Sequence, residues 1–269
     1  MKPIVLYRKS ELEQEEIKEL SSRFTCVESR MQIPQNSLVI GRYSCLPFYH
    51  ELDRDLGFLN SRLINSLREH QYVANLGEYV QDLGDLTFKT WSSLDQVPKS
   101  EAPFVLKGAT NSLKNQWETK MFARTWEDAV QVYIRLSEDS LIGTQDIYIR
   151  KYEKLFELGK TVTGLPITKE FRFFVYKGQI LSGGFYWDAF AEDLPFVPSV
   201  DEVPSDWLAN AISEVADFVP YFVMDVAQTA TGTWKVVELN DGQMSGLSGN
   251  SPGVLYSSLL DCLRSDNLG

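Results

Sequence analysis

"KVVELNDGQMSGLSG", Lys235 to Gly249, starts as an apolar run, takes up an acid and an amide, and dissolves into small residues. Its glycines suggest a phosphate loop, and its alternation suggests a strand that ends in a metal site or merely in polar residues. Side chains of a strand alternate faces, so Val237 and Leu239 point one way while Glu238 and Asn240 point the other. Upstream, "YFVMDVAQTATGTWKVVELN" (221–240) reads as two strands around Thr231-Gly232. A loop of two or four residues would set Asp225 opposite Glu238, whereas an odd loop would break that geometry. Opposed carboxylates repel unless a proton, a basic side chain or a cation lies between them. Oxygen donors without His or Cys suit a hard cation such as magnesium, which keeps waters and shares its shell with phosphates. Asp225, Glu238 and Asn240 are therefore a candidate metal seat, against the plainer reading of an exposed acidic strand edge.

Composition narrows the classes around that seat. The chain has 269 residues, 43% of them hydrophobic, which is enough for one large or two to three modest domains. A formal charge of -11 repels polyanions, so neither nucleic acid nor an anionic membrane is an expected partner. An anionic ligand would need a local basic cluster. The three cysteines show no CxxC spacing, and no apolar run approaches the ~18 residues that span a bilayer. A reduced, cytoplasmic location is the expectation. Two histidines exclude a multi-histidine metal site and supply a nucleophilic triad poorly.

Working outward, "PIVLY" (3–7) is a buried-type strand, and "SELEQEEIKELSSRF" (10–24) opens with Ser10 and Glu13 in capping-box spacing. "NSLVIGRYS" (36–44) is the next strand. The stretch 48–76 reads as largely helical with a break near Gly57. This α/β opening domain is taken to run over 1–100, with "QVPKSEAP" (96–103) as linker and 101–269 as the second domain. There "FVLKG" is a strand, "TWEDAVQVYIRLSED" a Thr125-capped helix and "DIYIRKY" another strand. "EFRFFVYKGQILSGGFYW" (170–187) is a hairpin turning at Lys177-Gly178. The acidic, proline-containing 188–207 stretch reads as a solvated loop.

Candidate cationic groups lie on these elements. Lys107 ends a strand before "GATNSLKNQW", whose small residues and Lys114 suit a flap over phosphates, although alone it would be read as a solvated turn. "IYIRKYEKL" (147–155) is either an edge strand or a hinge that presents a base slot. "KEFRFFV" puts Glu170, Arg172 and Phe174 on one strand face. Walker-type and GxGxxG loops are absent. Trp91, Trp117 and Trp126 read as core or helix-face residues.

The order of these segments, from Phe104 to Gly249, resembles the ATP-grasp superfamily. The resembling motifs are "FVLKGATNS", "IYIRKY", "KEFRFFV" and "VMDVAQTATGTWKVVELN". The resemblance implies an ATP-grasp fold of the α/β (α+β) class behind an N-terminal α/β pre-ATP-grasp domain. It implies ATP and Mg2+ as cofactors: Lys107 on phosphates, Lys114 in the flap, Ile149, Arg150, Lys151 and Tyr152 around adenine, and Glu170 on ribose. It assigns Asp225, Glu238 and Asn240 to magnesium, with Lys107 and Arg172 as the catalytic pair. The implied reaction is carboxylate–amine ligation through an acyl phosphate with ADP release. Its acceptor would be a small molecule, an amino acid or a peptide or protein end. Two departures stand out: Val223 occupies the place where many such ligases carry an arginine, and Arg150 replaces a common hinge acid. "IRKY" and "EFRFFV" are similar to a divergent branch with phage and bacterial members, related in turn to a eukaryotic assembly chaperone of translation initiation. That chaperone implies a second reading, ATP binding without ligation.

Overall fold

The computed structural model describes residues 1–42, 48–113, 116–162 and 164–266. "PIVLY" forms β1 (Lys2–Tyr7), flanked in a parallel sheet by β2 (Thr25–Val27), β3 (Ser37–Arg42) and β4 (Arg62–Leu63), in the order β2-β1-β3-β4. Helix α1 (Gln14–Arg23) starts later than Ser10 and Glu13 suggest. Ser10 lies in a 3-10 turn, and Glu13 is the N-cap residue without a side-chain bond. Leu12, packed against the core, keeps the chain extended between them. The long helical stretch is likewise divided: α2 (Tyr49–Gly57) ends at the expected break, β4 follows, and a Ser66–Glu69 capping box opens α3 (Leu67–Ala74) before α4 (Leu76–Leu83).

A second, antiparallel sheet runs β5-β8-β6-β7, with β5 at Thr90–Trp91, β6 at Phe104–Gly108, β7 at Phe122–Ala123 and β8 at Ile147–Lys151. Between β6 and β8 in the chain lie α5 (Trp117–Lys120) and the Thr125-capped α6 (Trp126–Ser137). Alternation along β6 and β8 sends Phe104, Leu106, Ile147 and Ile149 into one core with Val132 and Leu136 of α6. The segment expected as a linker is part of this unit. Val97 is buried in its core, and Glu101 pairs with Lys89 and Lys151. Because β5 pairs with β8, a division at residue 100 leaves one strand of the sheet on the other side.

Next come the hairpin β9 (Glu157–Lys160) and β10 (Pro166–Thr168), then a third sheet ordered β12-β11-β13-β14. Its strands are β11 (Glu170–Tyr176), β12 (Gln179–Phe185), β13 (Tyr221–Gln228) and β14 (Trp234–Asp241). Lys177 and Gly178 form the two-residue β11–β12 turn, with φ 47° and 79°, the left-handed pair that matches strand twist. One sheet face, with Phe171, Phe173, Met224 and Leu239, packs under α7 (Ser205–Ala216) and α4. On the other face Phe174 and Val223 lie beneath α8 (Pro252–Asp266), which also covers β1 and β3 through Leu255, Tyr256 and Leu259. The opening sheet and the third sheet therefore share a core. The same face carries Glu170, Arg172, Asp225 and Glu238.

Candidate nucleotide and metal site

The β13–β14 hairpin closes through residues 229–233, an odd loop, so the expected parity fails at the turn. A bulge restores it. Gln228 pairs with Trp234 and Val226 with Val236, but Asp225 pairs with Glu238, leaving Val237 as the extra residue. Val236 and Leu239 face the core while Val237 and Glu238 both line the cleft. Asn240, opposite Val223, continues the Glu238 face.

Each acid meets a cation. Arg172 stands opposite Asp225 on β11 and donates from Nε to Oδ1 and from Nη2 to Oδ2, both at 2.8 Å. Its Nη1 donates to the Gly246 carbonyl at 2.7 Å, and its guanidinium lies 5.0 Å over the Tyr186 ring. Burial works to lower the Arg172 pKa, but the Asp225 carboxylate outweighs it and leaves that pKa raised. Lys107, the last charged residue of β6, pairs with Glu238. These cations offset the repulsion between carboxylates opposed across the ladder. The donor set suits a hard cation: two carboxylates with lone pairs to spare beyond their ion pairs, plus an amide oxygen. Among the described residues no three His, Cys, Asp or Glu converge, so an ion held here rests on that mixed set.

The cleft, of ≈ 240 Å³, lies between β6 and β8 on one side and β11 and β14 on the other, with β9–β10 at its edge. Lys107, Arg150, Lys151, Tyr152, Glu170 and Glu238 line it. This is the local basic cluster that the overall charge demands. The Ile149 side chain does not line it but is fully buried in the core on the far face of β8, which leaves its backbone for the hinge reading. Lys114 lies outside the described residues. Trp117, expected as a core or helix-face residue, opens α5, lines the cleft and stacks on Phe122 at 5.8 Å. The Glu170 carboxylate accepts from Thr168 at 3.1 Å and from Trp187 Nε1 at 3.2 Å. At the rim, Lys151 and Lys89 hold the Glu101 carboxyl down to about 2.

Several participants carry no signal in the sequence. Phe88 and Trp187 line the cleft from loops. Buried Arg42 reaches from β3 to donate Nη1 to the carbonyls of Gln243 (2.9 Å) and Ser245 (2.8 Å), while its Nε bonds Glu16 at 2.8 Å. Of the glycines after β14, Gly246 has open space around a would-be Cβ, with Arg172 Nη1 nearest at 3.9 Å. At Gly249 such a Cβ would come within 2.9 Å of the Phe185 carbonyl oxygen. Gly249 thus serves packing against β12.

Two sheets enclosing a cleft, one bringing a strand-ending lysine and the other an opposed pair of acids, define a protein of the ATP-grasp class. Residues 93–259 match the ATP-grasp domain, R2K clade family 3, and the chain belongs to that family. Among solved structures it is similar to the ATP-grasp ligase PsnB complexed with minimal precursor: TM-score 0.59, 13% identity, over 97% of this chain and 99% of that one. It is also similar to the D-cycloserine synthetase DcsG, with TM-score 0.61 and 14% identity over 97% and 99% of the two chains. The D-alanine–D-alanine ligase from Bacillus anthracis, complexed with ATP, gives 0.60 and 13% over 99% and 96%. At these identities the likeness shows the fold. No curated protein matches in sequence.

Proposed function

We propose that the chain is a magnesium- and ATP-dependent ligase that joins a carboxylate to an amine, on a small molecule, an amino acid or a peptide or protein end. The observation that supports this most is the Asp225–Glu238 pair, set side by side across β13 and β14 and flanked by Arg172 and Lys107. In this reading Lys107 holds phosphate oxygens, Arg150, Lys151 and Tyr152 wall the base, and Glu170 meets the ribose. Ile149 supports them from the core. Magnesium, held by Asp225, Glu238 and Asn240, would neutralise phosphate charge and align the transfer. The γ-phosphoryl group moves to the acceptor carboxylate and ADP leaves. The amine nitrogen then attacks the acyl carbon, inorganic phosphate departs, and the amine proton passes to solvent. Arg172 is the side chain of this chain best disposed to meet charge developing at the acyl group.

A second reading, ATP binding that gates a partner without ligation, is favoured by Val223, which is fully buried beneath α8 where many ligases carry an arginine. Arg172 answers that loss from the neighbouring strand. ADP formation by the purified protein with a panel of amino acids and peptides, with and without magnesium, separates the readings. Ligation predicts acceptor-dependent ADP and a new amide mass. Saturable Mg-ATP binding without turnover on any acceptor would overturn it. No helix among the described residues is long and apolar enough to cross a membrane, and action in the cytoplasm is part of the proposal.

A further inference from the structure

We propose that Arg150 is a positioning residue: it holds the β14 bulge that turns Glu238 into the cleft opposite Asp225. Its functional consequence, though not its structural one, rests on the metal reading above. A bulge takes a residue out of the ladder, and its buried backbone carbonyls then need partners elsewhere. Two consecutive carbonyls find them here. Arg150 Nη1 donates to Val237 O at 2.8 Å, and Nη2 donates to Thr87 Oγ1 at 2.7 Å, which in turn donates to Val236 O at 2.7 Å. Arg150 is 6% exposed and feels the Glu238 carboxylate through space, while its hydrogen bonds go to the oxygens of Val237 and Thr87. These oxygens and the Phe88 ring, 4.9 Å from the guanidinium, offset its burial only in part: Nε has no hydrogen-bond partner among the described residues, and burial leaves the Arg150 pKa lowered. The guanidinium therefore works as a two-armed clamp rather than as half of a salt bridge.

What the clamp selects follows from the register. Beyond the odd loop, an unbulged ladder would set Val237 opposite Asp225 and turn Glu238 toward the core face. The bulge avoids this, and Arg150, on β8, fixes it from the opposite wall of the cleft. A lysine could reach one carbonyl but could not span to Thr87 as well.

The test compares wild type, R150M and R150K in two measurements. In ligand-free protein, hydrogen exchange across 234–241 should quicken by about tenfold in R150M while the other sheets keep their protection. By calorimetry, the gain in ATP affinity on adding magnesium should fall by about tenfold in R150M; the gain is a ratio read within each variant, so a loss of contact with the base, which lowers both affinities, does not move it. R150K should recover part of both. Should R150M fail to fold, Thr87→Val, which cuts one arm of the clamp, should move both readouts in the same direction by less. Unchanged exchange and an unchanged magnesium gain in a folded variant overturn the proposal. A wild-type protein without any magnesium gain overturns the metal reading instead, and exchange alone then decides the role of Arg150.

Discussion

Asp225 is 1% exposed, and Arg172 occupies both of its oxygens. Removing one member of such a buried pair strands the other charge, at a cost of about 3–5 kcal/mol. Asp225→Ala and Arg172→Met are therefore expected to lose that much stability in denaturant melts, so their effects on nucleotide binding mix folding with chemistry. Glu238 gives the cleaner test. Its side chain is 20% exposed, and its partner Lys107 stands at the cleft. Glu238→Gln strands Lys107, whose side chain is 8% exposed, but the pair reaches solvent on the Glu238 side. The change is therefore expected to cost less stability than Asp225→Ala and to lower Mg-ATP affinity by about tenfold or more in calorimetry. Wild-type affinity in that variant would remove Glu238 from the metal seat.

At the scale of elements, two glycines near the site separate packing from access. A Cβ on Gly184 of β12 would fall 2.3 Å from the Gly249 carbonyl carbon and 2.5 Å from the Asn250 nitrogen, both backbone atoms that cannot swing aside. Gly184→Ala should cost about 1–3 kcal/mol in a thermal or denaturant melt, whereas Gly246→Ala, in open space, should melt like wild type. Strand alternation made Glu238 and Asn240 legible as one face of β14, and Glu170 and Arg172 as one face of β11, because a period of two needs no tertiary information; joining the two faces needs the pairing of β11 with β13. The same rule puts the side chains of Ile149 and Arg150 on opposite faces of β8. The bulge at Val237 was not legible: "KVVELN" contains no glycine to mark it, and the carbonyls are satisfied by Arg150 and Thr87, distant in the chain. Thr125 announced its helix because a cap is local, while the Ser10 cap yielded to the packing of Leu12.

For the whole molecule, α8 decides how separable the lobes are. It lies against Val5 and Ile40 of the opening sheet, against Leu20 of α1, and against Phe174 and Val223 of the third sheet. Fold class could be read from alternating strands and helices, but this sharing could not, because it joins the two ends of the chain. Unfolding should accordingly follow one cooperative transition for the first and third sheets, with coincident near- and far-UV signals. Truncation at Ser251 should remove folded structure from the opening domain as well. Two resolved transitions, with the opening domain intact after truncation, would contradict that account.

The short turn after β14 carries a consequence of its own. A trans peptide is planar, so a carbonyl oriented by a donor also orients the N–H of the following residue, in the opposite direction. Arg42 takes the Ser245 carbonyl from the first sheet, and Arg172 takes the Gly246 carbonyl from the third. Between them they aim the amide dipoles of Gly246 and Leu247 without touching either nitrogen. The polarity of that turn is thus set by two guanidiniums rooted in different sheets, and a shift of one sheet against the other would rotate the peptide planes.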